Sequence, residues 1–193
     1  MNKILLKPST YLYPQPVVLI GANVNDVPSF TTVAWAGIAN GNPPMISVAL
    51  RHSRYILKGI KKDMVFSVNI PSTDMVKETD YCGIVSGANV NKAKVCGFKI
   101  FYGELDGAPL IEQCPVNLEC EVVHTLDLGS HLLVIGRIRQ AHFSESCLVD
   151  GKPSIDKIKP IVYVTGRGGR YHNVGEFLAN AFSIGKDLSR GNG

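Results

Sequence analysis

Long hydrophobic runs are missing from this chain. No stretch of about 18 consecutive apolar residues occurs, so no helical membrane span and no membrane partner are expected. Signal-peptide architecture is missing too. Met1-Asn2-Lys3-Ile4-Leu5-Leu6 gives way to Lys7-Pro8-Ser9 before an apolar h-region develops, which makes the cytoplasm the expected location. The cysteines Cys82, Cys96, Cys114, Cys120 and Cys147 contain no C-x-x-C pair, and the histidines no H-x-x-x-H pattern. A zinc ribbon or a thioredoxin-like redox pair is therefore unsupported, and thiols packed as small hydrophobes are expected. Neither G-x-x-x-x-G-K-[ST] nor G-x-G-x-x-G is present, so a pyridine nucleotide would bind transiently rather than in a dedicated fold. Charge of one sign is scarce as well. The formal net charge is +4, the basic residues are scattered, and aromatics are not interleaved with them, which favours a small anionic ligand over a nucleic acid.

What is there reads as a single domain over residues 1–193, without repeats or a low-complexity linker. Residues 16–22 form a short apolar run ended by Asn23-Val24-Asn25-Asp26, a turn signal. Residues 31–36, 45–50, 64–70 and 161–164 also read as strands, with Pro43-Pro44 breaking the chain before the second of these. Residues 116–122 alternate strictly, as a strand with one wet face must, and 131–139 run back from a turn at Asp127-Leu128-Gly129. Helices are fewer: Ser53 capping a helix through about Lys62, Ser72 or Thr73 capping one through about Tyr81, a short turn at 91–96, and a final helix over 174–182. The tail Arg190-Gly191-Asn192-Gly193 reads as disordered. Many strands with small helices between them predict a mainly β fold, an antiparallel barrel with peripheral helices.

Chemistry concentrates in Leu50-Arg51-His52-Ser53-Arg54-Tyr55. A strand ending here and a helix starting after Ser53 would leave amides free for an anion, with Arg51 able to grip a phosphate through two bonds. The same residues also suit a capped helix with solvated arginines, and both readings stand. Upstream, Thr31-Thr32-Val33-Ala34-Trp35-Ala36 offers hydroxyls, small side chains against which a flat ring could lie, and the single tryptophan, which could equally be core. Ser86-Gly87 with Lys92, the loop Gly166-Arg167-Gly168-Gly169 leading to Tyr171 and His172, and His131 on the return strand complete the candidates. The Gly/Arg loop could meet phosphate or simply turn, and His131 could reach a ligand or be structural.

In these segments the sequence resembles the flavin reductase-like, FMN-binding split-barrel family of the flavoredoxin type. The resemblance is carried in order by Tyr13-Pro14-Gln15-Pro16-Val17-Val18, Thr32 to Ile38, Pro43 to Ser53 and Phe66-Ser67-Val68-Asn69-Ile70-Pro71. Asp80 to Gly87, Leu118 to His124, Pro160 to Tyr163 and Ala181-Phe182-Ser183-Ile184-Gly185 follow. It implies a split antiparallel, Greek-key-like β-barrel that dimerises, with FMN near the subunit interface. Thr31, Thr32, Val33, Ala34, Trp35 and Ala36 would lie along the ring and ribityl chain. Leu50, Arg51, His52, Ser53, Arg54 and Tyr55 would hold the phosphate end. Ser86, Gly87 and Lys92 would close the other side, with Tyr171 and His172 near the flavin. The implied activity is electron carriage to a redox partner protein or small acceptor, with NADH or NADPH as a transient donor. Alternatives are a reductase component supplying reduced flavin to a monooxygenase, or a non-catalytic flavin-binding module. Two departures bear on this. Gly129-Ser130-His131 stands where nicotinamide-using relatives carry Gly-Asp-His, and Asn91-Lys92-Ala93 stands where the family carries Asp-Lys-Phe.

Overall fold

The computed structural model describes residues 1–166, 168–186 and 188. In chain order it contains β1 (Gln15–Pro16), β2 (Val18–Val24), β3 (Val27–Val33), β4 (Ala36–Gly41), β5 (Pro44–Arg51), α1 (Leu57–Asp63) and β6 (Val65–Ile70). These are followed by α2 (Val76–Ile84), α3 (Lys92–Val95), β7 (Ile100–Phe101), β8 (Leu110–Ile111), β9 (Val116–Asp127) and β10 (His131–Phe143). The last elements are β11 (Leu148–Val149), β12 (Lys152–Pro153), α4 (Ile155–Ile158), β13 (Ile161–Val164) and β14 (Arg170–Asn173). Among the described residues no helix is long and apolar enough to cross a membrane.

The main sheet is antiparallel, in the order β3-β2-β6-β9-β10-β5-β4. Laid flat, seven strands would put the two edges about 29 Å apart. Yet β3 and β4, the two edges, are joined only by Ala34 and Trp35, and three peptide steps reach about 11 Å at most. The sheet must therefore curl until its edges meet. The result is a barrel, open along one seam, and the seam is where residues 34–35 cross. Ala49 N–H donates to the Trp35 carbonyl at 2.9 Å and stitches the crossing to β5. The expected single strand over 31–36 is thus two strands meeting at a corner, each on a different edge.

Val18, Ile20, Val48, Leu50, Phe66, Val68, Cys120 and Val134 fill the barrel. α1 closes one end with Leu57 and Ile60, and Gly59 is obligatory there because a β-carbon would collide with the Asn23 carbonyl. β2 is buried on both faces: its other side carries Leu19, which packs with Phe30, Met75, Cys82, Ala93, Ile111 and Cys114 beneath α2 and α3. The Asn25-Asp26 turn has positive φ at both residues (52° and 61°), as a two-residue hairpin requires. A separate small sheet, β1-β13-β14, lies outside the main one.

Several boundaries differ from expectation. β9 and β10 run on to Asp127 and Phe143, beyond their apolar cores. The first helix begins at Leu57 rather than after Ser53, and its N-cap Ile56 has no side-chain bond. Two tight turns intervene: Arg54 N–H donates to Arg51 O at 2.9 Å and Leu57 N–H to Arg54 O at 3.1 Å. Ser72 and Thr73 open a 3-10 turn before α2, which reaches Ile84. Asn91 caps α3, accepting from Lys94 N–H at 3.0 Å. Residues 174–182 do not form the expected helix, and Phe177, Leu178 and Phe182 are exposed. Residues 190–193, expected to be disordered, lie outside the described residues.

Candidate functional site

Two joined cavities open at the seam. The first, about 440 Å³, has Thr32, Val33, Ala34 and Trp35 on one wall, Ala49 and Leu50 from β5 beside them, and Gly83 and Ile84 from the end of α2 opposite. Tyr163 and Tyr171 of the small sheet close its outer side. The second, about 390 Å³, is lined by Thr31, Ser53, Tyr55, Ser86, Gly87 and Lys92 among others. Arg51, Arg54 and Ile84 border both cavities, so they form one elongated site. Each volume lies in the range that small ligands occupy.

The first cavity suits a flat ring. Trp35, 38% exposed, stands at the rim rather than in the core, with its ring 4.6 Å from that of His131. β10 sets His131 opposite Arg51 in register. Burial, then the positive charges of Arg51, His52 and Arg54, holds the His131 imidazole below its ordinary value. Across the cavity the Tyr171 hydroxyl donates to Asp80 at 2.9 Å, and burial followed by that carboxylate pushes the phenol up.

The second cavity suits an anion. Lys92 is only 4% exposed, and its ammonium donates to the carbonyls of Phe30 and Cys82 at 2.8 Å each. An ammonium has three donors, so one remains. Arg54 gives one donor to Gly83 O at 2.8 Å and keeps the rest of its fork free. Burial lowers the pKa of both groups, with Arg51 adding to the effect on Arg54. Among the described residues no carboxylate lies within ion-pair distance of Arg51, Arg54 or Lys92. The Thr31 hydroxyl is buried and has no partner. Gly87 keeps this wall close: a β-carbon there would come to 2.8 Å from Ser29 Oγ and 3.1 Å from the Tyr55 ring. Arg54 and Lys92, shielded from water without a counter-charge, and an orphan hydroxyl are costly unless an anion completes them, and the exposed Arg51 stands beside them. A phosphate ester fits this set. The helix dipole is not what selects it, because α1 is short and starts past Tyr55.

The structure brings most of the sequence candidates together. Thr32, Val33, Ala34, Trp35, Leu50, His131 and Tyr171 line the ring-shaped cavity; Thr31, Ser53, Tyr55, Ser86, Gly87 and Lys92 line the cationic one; Arg51 and Arg54 line both. Three lie outside the pair. Ala36 is past the corner on β4, opposite Val48. His52 turns to Asp127, with Nε2 3.2 Å from Oδ1. His172 pairs with Val162 one residue past Tyr171 and is exposed. The described part of the Gly/Arg loop lines neither cavity, and Arg167 lies outside the described residues. Sequence reasoning missed Asp80, Gly83, Ile84 and Tyr163 as site residues. The spacing of Asp80 and Gly83 along one helix was the available signal.

A split barrel whose one long cavity is flat-walled at one end and cationic at the other defines the class of flavin-binding redox proteins. The chain belongs to the flavin reductase like domain family, whose model matches residues 10–172. It is similar to the crystal structure of flavoredoxin from Methanosarcina acetivorans, with 41% identity, a TM-score of 0.92, and coverage of 97% of this chain and 100% of that one. Flavoredoxin of Desulfovibrio vulgaris (Miyazaki F) is similar at 36% identity and a TM-score of 0.89, covering 95% of this chain and 100% of that one. An uncharacterized protein of Archaeoglobus fulgidus is 33% identical over 146 residues, 76% of this chain and 81% of its own.

Proposed function

We propose that the chain binds FMN non-covalently in the joined cavities and carries electrons as a flavoredoxin-type oxidoreductase. The observation that carries the reading is the unpaired Arg51, Arg54 and Lys92 set beside a flat cavity walled by small residues. Arg51 and the free donors of Arg54 and Lys92 would hold the phosphate, with Ser53 and Thr31 hydroxyls as further donors. Thr32 to Trp35 would support the ring, and Tyr171 and Asp80 would fix the opposite wall. When bound, FMN supplies the hydride and single-electron chemistry; the polypeptide holds it and sets its surroundings. His131 stands at the rim with Nδ1 2.8 Å from Ser130 Oγ, and burial, then neighbouring positive charge, holds its imidazole below the ordinary value. We also propose a homodimer in solution, with a redox protein or small molecule as acceptor and NADH or NADPH as donor. The exposed Leu5, Leu12, Phe177, Leu178 and Phe182 support the dimer, since so many exposed large apolar side chains favour association.

The test is an anaerobic titration of the FMN-loaded protein with NADH and with NADPH, followed by visible absorbance. Bleaching of the flavin band by either nucleotide is expected. A band unchanged by both would remove the pyridine-nucleotide donor and leave electron carriage from another source. Failure to take up FMN at all would overturn the reading.

A further inference from the structure

We infer that Asp80 is a tuning residue, a carboxylate that faces the flavin ring and lowers its reduction potential, and that Tyr171 positions it. The inference rests on the flavin reading of the main site and deepens it. Asp80, on α2, is the single carboxylate among the described residues that line the ring-shaped cavity. Its Oδ1 accepts from the Tyr171 hydroxyl at 2.9 Å. Among the described residues no cation lies within ion-pair distance of it.

α2 explains the placement. Its end lies at the phosphate corner: Ile84 borders both cavities, and the Gly83 carbonyl accepts from Arg54. Four residues before Ile84, about 6 Å back along the helix axis, Asp80 borders the ring-shaped cavity and not the cationic one. The site therefore has unpaired cations at one end and an unpaired carboxylate toward the other. β14 supplies the tie to it. Tyr171 pairs with Tyr163 in the small sheet, with their rings 5.8 Å apart, and both line the cavity. Burial, followed by the bond to Asp80 and its charge, pushes the Tyr171 phenol up, so it stays protonated and goes on donating.

Charge decides the sign. Reduction adds electrons to the ring, and a negative charge facing the ring opposes that addition. The cationic side chains on this cavity are Arg51 and Arg54, which it shares with the phosphate corner, and His131 at the Trp35 rim when protonated. A bound phosphate, at about −2, offsets the two arginines. Asp80 has no such offset, because its partner is a neutral phenol. A ring that fills the cavity also displaces the water that would screen the carboxylate. The result is a flavin that gives up its electrons more readily, as a carrier requires. A carboxylate present only to tie α2 to β14 would leave the potential where it is.

The experiment compares wild type with Asp80→Asn, Asp80→Glu, Tyr171→Phe and the double variant Asp80→Asn, Tyr171→Phe. Asp80 is exposed, so its replacements leave the core intact. The two-electron midpoint potential of FMN-loaded protein is measured by anaerobic equilibration with redox dyes, and FMN affinity by fluorescence titration of the apoprotein. Asp80→Asn should shift the equilibrium about tenfold toward reduced flavin, a rise of about 30 mV. Its affinity for oxidised FMN should stay within about threefold of wild type. Asp80→Glu keeps the charge and should keep a midpoint near wild type. Tyr171→Phe frees the carboxylate to turn toward water, so it should raise the midpoint by less, and it should add nothing once Asp80 is Asn. A midpoint unmoved or lowered by Asp80→Asn overturns the tuning role, whatever happens to FMN affinity. A Tyr171→Phe shift that persists without the carboxylate overturns the positioning role. Wild-type protein that takes no FMN would instead overturn the flavin reading on which both rest.

Discussion

The two ends of β10 treat charge in opposite ways. Toward its C-terminal end Arg139 lies 3.0 Å from both Glu104 and Glu121, and the fully buried Glu119 accepts from His142 at 2.7 Å and from the Leu105 amide at 2.7 Å. Toward its N-terminal end His131 faces Arg51, and beyond lie Arg54 and Lys92 with only carbonyls for company. The electrostatic consequence has opposite signs. The Arg139 guanidinium is pushed up by its carboxylates, whereas Arg54 and Lys92 are pulled down by burial. One end is balanced within the fold. The other is left unbalanced, and under the proposed function an anion from outside completes it.

The largest effect belongs to the balanced end. Glu119→Ala removes a buried acceptor from two donors and should cost about 3–5 kcal/mol of stability, read by urea denaturation. FMN affinity should be unchanged after refolding; a matching loss of FMN affinity would mean that the two ends are not separate. At the unbalanced end, Arg51→Ala should weaken FMN by about 10–100-fold while riboflavin changes by less than about threefold, because the guanidinium grips the phosphate, which riboflavin lacks. Its melting temperature should stay near wild type. Equal losses for FMN and riboflavin would contradict the phosphate assignment.

Trp35→Ala should cost less than about 1 kcal/mol, since the indole is at the rim, and should shift the absorbance of bound flavin. A large loss of stability with an unaltered spectrum would return Trp35 to the core. The smallest effect is a matter of pH. His131 is held below the ordinary 6.5 in the folded protein, so its contribution to stability is complete above that value and falls as pH drops through the lowered one. His131→Gln should flatten the pH dependence of melting in that acid window.

Much of this was legible in the residues, and the exceptions have physical causes. Strand positions follow from apolar alternation, and Arg51, Ser53 and Arg54 announce an anion through their chemistry and their place after a strand. The start of α1 was not legible, because the carbonyls of Arg51 and Arg54 take turn bonds that a capping rule at Ser53 does not foresee. The corner at Ala34-Trp35 depends on which sheet edges its two strands join, which is a tertiary fact. The stripe Val174, Phe177, Leu178 and Ala181 has helical spacing, but in one chain it meets no surface to bury it, and so short a helix is marginal alone. Asp80 and Tyr163 joined the site unannounced because they come from α2 and the small sheet, which only folding brings to the seam.

The central claim is that the Arg51, Arg54 and Lys92 corner exists for a flavin's phosphate. Parallel fluorescence titrations of the wild-type apoprotein with FMN and with riboflavin test it most directly. The account predicts that FMN binds about 10–100-fold more tightly, with the difference shrinking as salt is added. Equal affinities at low salt would contradict it.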